Sequence, residues 1–331
     1  MFNRASKILA TLAATTALAG TATAQEMPGE GVTVRPVVGL IAEEYFQSRI
    51  LFQALADLGY EVAEPLETEI QTAHLAVGTG DADFYPIHWG TLHQAFFDES
   101  GGEDVLERVG PFVEGMVQGY LIDKASYEAG VTDIADLQDS EVAARFDGDG
   151  DGMADLAGCV PGWGCERIIE HHMTEYGLRD TVTHNQGAYN ALMADTIARH
   201  GNGDPILYFT WTPYWVSGTL VPGEDVEWLS VPYTSLPDGV EANTEYNGMN
   251  IGFSPDEMFV LASDAFLDEN PAAAALFEAA KLDVNDISAQ NKLMTEGEDS
   301  SEDIDTHVAA WIEEHRAEYD NWLEAARAAA R

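Results

Sequence analysis

Short apolar runs alternate with amphipathic stretches along most of this chain, and that alternation predicts α/β architecture with mostly parallel sheets. Val32–Val38 reads as a strand. Glu44–Leu58 carries Phe46, Ile50, Leu51, Ala54 and Leu58 on one helical stripe, and Gly59 ends it before a second strand, Tyr60–Val62. Ala82–Ile87, Gln118–Ile122 and Pro205–Trp211 follow as strands, with Asn190–Arg199 as a helix between the last two. Glu257–Ala262 has the pattern of a strand that returns to the first part of the fold. No internal repeat and no long linker separates two halves. Chain crossings near Gly119–Asp123 and Phe253–Glu257 would account for that, with residues 25–121 and 256–331 forming lobe one and 122–255 forming lobe two.

The C-terminal segment looks functional and is better read as core. Ile304, Val308, Trp311, Ile312, His315, Tyr319, Trp322 and Leu323 recur at helical spacing, so these aromatics pack inward. Trp228, in an alternating run with Val226 and Val231, is read the same way. Of seven tryptophans, four remain: Trp89, Trp163, Trp211 and Trp215. All lie at strand ends or in Pro/Gly-rich loops, where α/β folds place ligands.

The N-terminus bears on compartment. Arg4 and Lys7 precede an apolar stretch from Ile8 to Ala19 and a small-x-small site, Ala22-Thr23-Ala24. This predicts export to the periplasm with cleavage after Ala24. Losing those two positive charges takes the formal balance from −43 to −45. Such a surface repels nucleic acid and anionic lipid, and no later run predicts membrane insertion. At 331 residues and 46% hydrophobic content, the chain can still build two lobes, each with a core.

The only two cysteines stand in Cys159-Val-Pro-Gly-Trp-Gly-Cys165. An oxidising compartment favours their pairing, which would staple the loop with Trp163 near its apex. Such a loop offers an aromatic face beside backbone amides; read blandly, it is a structural disulfide around a buried tryptophan.

At this point the chain resembles a known family. Gln118-Gly-Tyr-Leu-Ile-Asp123, Gly158-Cys-Val-Pro-Gly-Trp-Gly-Cys-Glu166, Thr183-His-Asn-Gln-Gly187, Ala191-Leu-Met-Ala-Asp-Thr-Ile197 and Thr210-Trp-Thr-Pro-Tyr-Trp-Val-Ser217 are similar to strings of the ProX-type proteins, the periplasmic glycine betaine-binding proteins of ProU-type ABC importers. The resemblance runs from Gly31 to Trp322. It implies a two-lobe periplasmic-binding-protein fold of type II, with ligand in the interlobe cleft, and a monomer that docks on a membrane-embedded ABC permease. It also implies an aromatic box of Trp89, Trp163 and Trp211. The ligand carboxylate would go to His93 and the backbone amides of Trp163, Gly164 and Cys165. One departure is visible: Ile87-His-Trp-Gly-Thr-Leu-His93 has His where Asn is expected before the tryptophan, and lacks the expected Thr-Pro after it. The missing proline at position 91 bears on how Trp89 is presented.

The chemistry is coherent without the family. A trimethylammonium group has no N–H to donate, so aromatic faces are the side chains that favour it. Three rings at about 0.5–2 kcal/mol each supply at most about 6 kcal/mol, short of the roughly 8 kcal/mol of micromolar binding. Charge-assisted hydrogen bonds to a carboxylate fill the difference. The expected ligand is glycine betaine or a related osmolyte (proline betaine, choline, dimethylsulfoniopropionate).

Two further patterns are weighed. Asp147-Gly-Asp-Gly-Asp-Gly-Met-Ala-Asp155 matches the start of an EF-hand-type loop, with Asp147, Asp149, Asp151 and Asp155 at ligand places. Gly158 occupies the place of the bidentate glutamate, so the run is either a structural calcium site or a plain Asp/Gly turn. No cofactor is required by this reading. His171-His172 completes no metal pattern, and His184 reads as a hydrogen-bonding residue near the loop. An exported hydrolase or lyase acting on a quaternary ammonium compound is the alternative, but no nucleophile elbow, HExxH or P-loop appears, and both cysteines are committed. A non-enzymatic binder is the expectation.

Overall fold

The computed structural model describes residues 27–331; the leader expected at Met1–Ala24 lies outside them. A seven-stranded sheet organises the molecule: β1 (Phe84–Trp89), β2 (Leu106–Asp123), β3 (Ala154–Ala157), β4 (Val182–Asn185), β5 (Leu207–Thr212), β6 (Val226–Trp228) and β7 (Asp256–Ser263). Its order is β1-β7-β2-β5-β3-β4, with β6 also on β2.

One strand makes both lobes. The first half of β2 pairs with β7, from Ser263 opposite Leu106 to Asp256 opposite Met116. Its second half pairs with β5, from Val117 opposite Thr212 to Ile122 opposite Leu207. The partner therefore changes between Met116 and Val117 while the strand runs on. The sheet is mixed, which corrects the expectation of mostly parallel strands. Only β3 with β4 and β5 is parallel in it. All the pairs made by β2 and β7 are antiparallel, and these two strands, paired to each other, cross between the lobes in opposite directions.

The helices that matter below are α1 (Tyr45–Asp57), α2 (Ile70–Thr79), α3 (Gln94–Glu99), α4 (Gly164–Glu175), α5 (Tyr189–Asn202), α6 (Ser301–Glu314) and α7 (Arg316–Ala329). Helix α1 buries Phe46, Ile50, Leu51, Ala54 and Leu55, close to the stripe its spacing predicts. Two hydrophobic cores result. One joins residues between Val34 and Met116 to those between Met258 and Ala326; the other runs from Tyr120 to Phe253. The C-terminal stripe buries Trp311 and Trp322 in the first core, but as two helices broken at His315, whose ring stacks on Trp311 at 4.4 Å. Val32–Val38 is likewise two short strands, Thr33–Val34 and Val37–Val38, interrupted at Pro36. Among the described residues no helix is long and apolar enough to cross a membrane.

Candidate functional site

The cleft between the cores narrows to a small cavity. Trp89, His93, Trp163, Gly164, Cys165 and Trp211 all line it. Trp89 ends β1 and His93 precedes α3 on one side; Trp211, near the end of β5, and the loop before α4 stand opposite. Trp215 stays outside this cavity, on the outer groove with Asn190 and Tyr214.

The rings are braced. Trp163 and Trp211 meet edge to face at 5.9 Å. Trp211 in turn packs on Tyr189 at 4.7 Å and on Tyr214 at 4.3 Å. Tyr189 is fixed by donating its hydroxyl proton to the Phe209 carbonyl at 2.6 Å. Tyr189 and Tyr214 escaped the sequence reading, although both sit inside or beside strings it singled out.

Cys159 and Cys165 are joined as a disulfide, with Cα atoms 6.0 Å apart. Trp163 takes an extended conformation and caps α4, so the N–H groups of Gly164 and Cys165 are the first two of a twelve-residue helix. Helix geometry leaves such donors without internal acceptors, and the helix dipole favours an anion there. The Trp163 amide is committed elsewhere: it donates to the Val160 carbonyl at 3.2 Å, which removes one of the three loop amides expected to meet a carboxylate. Gly164 has a second constraint. A Cβ there would stand 2.7 Å from the Leu92 carbonyl oxygen of the facing lobe.

His184 supports the loop from behind. Its Nε2 accepts from the Cys159 amide at 3.1 Å, and its Nδ1 faces Glu170 at 2.7 Å. Gly158 admits the ring; a Cβ would come within 2.1 Å of it.

His93 is buried, and its Nδ1 accepts from the Trp89 amide at 3.1 Å. A neutral ring must then carry its proton on Nε2, as a donor. Burial, helped by His74, holds the His93 pKa well below the ordinary range, so the ring is neutral at pH 7. His74 and His88 lie behind it. His74 Nδ1 lies 2.7 Å from the Ile70 carbonyl and must donate to it, so its Nε2 accepts from His88 Nδ1 at 2.9 Å. The three rings bring nitrogen atoms within 4.8 Å of one another. These bonds nonetheless consume two of the three lone pairs and leave His88 Nε2 alone without a partner, which is poor provision for a metal.

Buried neutral histidines make stability depend on pH. Burial depresses His74 to about 4 and His88 and His93 well below the ordinary value. The unfolded chain thus binds more protons than the folded one at mildly acid pH. This contribution is complete above about pH 6.5 and is lost as pH falls through the folded values. In molar salt, which screens surface repulsion, the loss of this contribution should lower the melting temperature between about pH 6.5 and 4. His88→Asn should flatten the fall; no fall in the parent protein would mean these rings are not held neutral.

The turn joining Trp89 to His93 is held from a distance. Asp256, at the start of β7, accepts from the Thr91 amide at 2.9 Å and the Leu92 amide at 2.9 Å. Thr91 supplies a donor that proline could not. No local signal marks Asp256, which is distant in sequence and meets the turn only through the fold.

Asp147, Asp149 and Asp151 bring carboxylate oxygens within 4.8 Å of one another. Asp155 serves the protein instead, accepting from the Gly148 amide at 2.6 Å and from Asn185 at 2.8 Å.

Comparison with known proteins places this geometry. Residues 32–314 match the family described as the substrate binding domain of ABC-type glycine betaine transport systems. The chain belongs to that family. It is 48% identical over 328 residues to the glycine betaine-binding periplasmic protein OusX of Dickeya dadantii, covering 98% of each chain. It is 47% identical over 308 residues to the glycine betaine/proline betaine-binding periplasmic protein of Escherichia coli, covering 92% of this chain and 93% of that one. Among solved structures, lactococcal OpuAC, closed on glycine betaine, superposes with a TM-score of 0.68 at 19% identity, over 88% of this chain and 99% of that one. An ABC-transporter choline binding protein with choline gives 0.67 at 16%, over 90% of this chain. These neighbours show the two-lobe periplasmic-binding-protein fold of type II. The family is one of transport binding proteins, and the chain is not an enzyme.

Proposed function

We propose that this protein is the periplasmic substrate-binding component of an ABC importer for glycine betaine or a close relative. The observation that carries the reading is convergence: three tryptophans, a neutral histidine donor and a free helix N-terminus line one small cavity between two lobes. The tryptophan faces take the quaternary ammonium, while the Gly164 and Cys165 amides and His93 Nε2–H take the carboxylate. The two relatives named above, each close to half identical, are described as periplasmic glycine betaine binders. The lobes hinge on β2 and β7, and the monomer carries ligand to a membrane permease. Met1–Ala24 is the leader removed on export. Isothermal titration with glycine betaine, proline betaine, choline and glycine tests the assignment. Saturable binding of the quaternary compounds with none of glycine is expected, and equal affinity for glycine would end the reading.

For the Asp147–Asp151 loop we propose a structural calcium site that does not touch the ligand. Millimolar calcium should raise the melting temperature of the parent and chelator should reverse it, while Asp149→Ala should not respond. An unresponsive parent would leave an ordinary turn, in which Asp147 accepts from the Gly150 and Gly152 amides, Asp149 from the Asp151 amide and Asp151 from the Met153 amide.

A further inference from the structure

Glu44 lines the same cavity as Trp89, Trp163 and Trp211, and the box as described gives it no role. Its Oε2 is enclosed and has no hydrogen-bond partner. The Tyr85 hydroxyl, on β1, is enclosed and unpartnered as well. Gly39 keeps the space beside both groups open, since a Cβ there would lie 3.2 Å from Glu44 Oε2 and 3.8 Å from the Tyr85 oxygen.

An ionised carboxylate with an enclosed oxygen that no donor reaches is costly, and such a group tends to take up a proton instead. Burial, and then the charge of Glu43, push the Glu44 pKa up to about 8. The titratable groups around it offer no relief. Tyr45 and Tyr85 have raised pKa values, so neither charges near neutrality, and His93 across the cavity is neutral. Arg49, further along α1, is committed to Ser301 and Asp305. Glu43 points to the other lobe, where the Tyr214 hydroxyl meets its Oε1 at 3.0 Å.

We propose that Glu44 is a proton-linked wall of the cation subsite: uncharged in the empty cavity, it ionises against a bound quaternary ammonium head, and its proton leaves to solvent. The proposal rests on the betaine reading above and adds a specificity element to it. A neutral acid presents no charge to hydrated inorganic cations or to lysine-like ligands in the open cleft. The carboxylate forms when a permanently charged, weakly hydrated head has filled the cavity and excluded water. Affinity should therefore rise with pH, by up to about tenfold per unit below about pH 8, and level off above it.

The test is titration with glycine betaine at pH 7 in phosphate, Hepes and Tris, whose ionisation enthalpies differ. For the parent, the observed enthalpy should vary linearly with buffer ionisation enthalpy, with a slope reporting release of most of one proton. Glu44→Gln, which keeps the shape and cannot ionise, should bind with no buffer dependence and no rise of affinity with pH. Infrared difference spectra of the parent provide a readout that needs no variant: the protonated-carboxyl band should disappear on adding betaine. Betaine binding by the parent without proton release, or release that persists in Glu44→Gln, overturns the proposal and leaves the betaine reading intact. Absence of betaine binding by the parent overturns both.

Discussion

Trp211→Ala is expected to weaken betaine binding about a hundredfold, and Trp163→Ala and Trp89→Ala by about ten- to a hundredfold, or about 1–3 kcal/mol each. The ranking comes from the packing. Trp211 lies between Trp163 and the pair Tyr189 and Tyr214, so its removal takes one wall of the box and unseats a second. Trp163 rests on a loop closed by the disulfide and backed by His184, and its loss should leave the loop backbone in place. It is the cleaner measure of one ring contact. Trp89 is 5% exposed and belongs to the first core, so Trp89→Ala should also lower the melting temperature. Trp311 is the control. It stacks on His315 and Trp322 in the C-terminal pair of helices and donates to Asp286, on the preceding helix Val284–Thr295, at 2.9 Å. Trp311→Ala should cost about 3–5 kcal/mol of stability and leave the affinity of the folded protein unchanged. A Trp163→Ala protein that binds betaine as tightly as the parent would remove the aromatic box from the mechanism.

What could be read from the sequence was local. The stripe on α1, the strand ends bearing Trp89 and Trp211 and the cysteine loop each declare themselves within about a dozen residues, where spacing and composition report directly on burial. Elements whose identity depends on distant partners did not declare themselves. Only the second half of β2 reads as a strand, because Gly110, Pro111, Gly115 and charged residues break the pattern of the first half. The fold supplies the explanation: that half is paired to β7 along its length. The break at His315 was hidden because the apolar stripe continues in register across it. Glu44 looked like one more acidic residue in an acidic chain, and its enclosed Oε2 lies near Gly39, Tyr85 and the far lobe only in the folded protein. His74 and His88 lie fourteen residues apart and meet only when α2 packs on β1.

Asp256 is the sharpest case of such a residue, and Asp256→Ala should be correspondingly damaging. The residue is 5% exposed, and its carboxylate accepts from the amides of Thr91, Leu92 and Glu257. Alanine would leave the turn amides stranded, at about 1–3 kcal/mol for each donor that water does not reach. A stability loss of about 2–4 kcal/mol is expected from the two turn donors. Affinity should fall about tenfold or more in addition, because the turn sets Trp89 against His93, and His93 in turn accepts from the Trp89 amide. Asp256→Asn keeps one acceptor oxygen and should fall between parent and alanine. Thr91→Pro supplies the decisive comparison. In the parent it deletes a made hydrogen bond and should destabilise; in the Asp256→Ala background that donor is already orphaned, so the same change should cost less or even restore stability. The double-mutant cycle, measured by urea unfolding, should therefore show coupling of about 1 kcal/mol or more. Additive effects, with Asp256→Ala binding betaine like the parent, would mean that the turn holds its shape without the carboxylate and that the absent proline has no counterpart in β7.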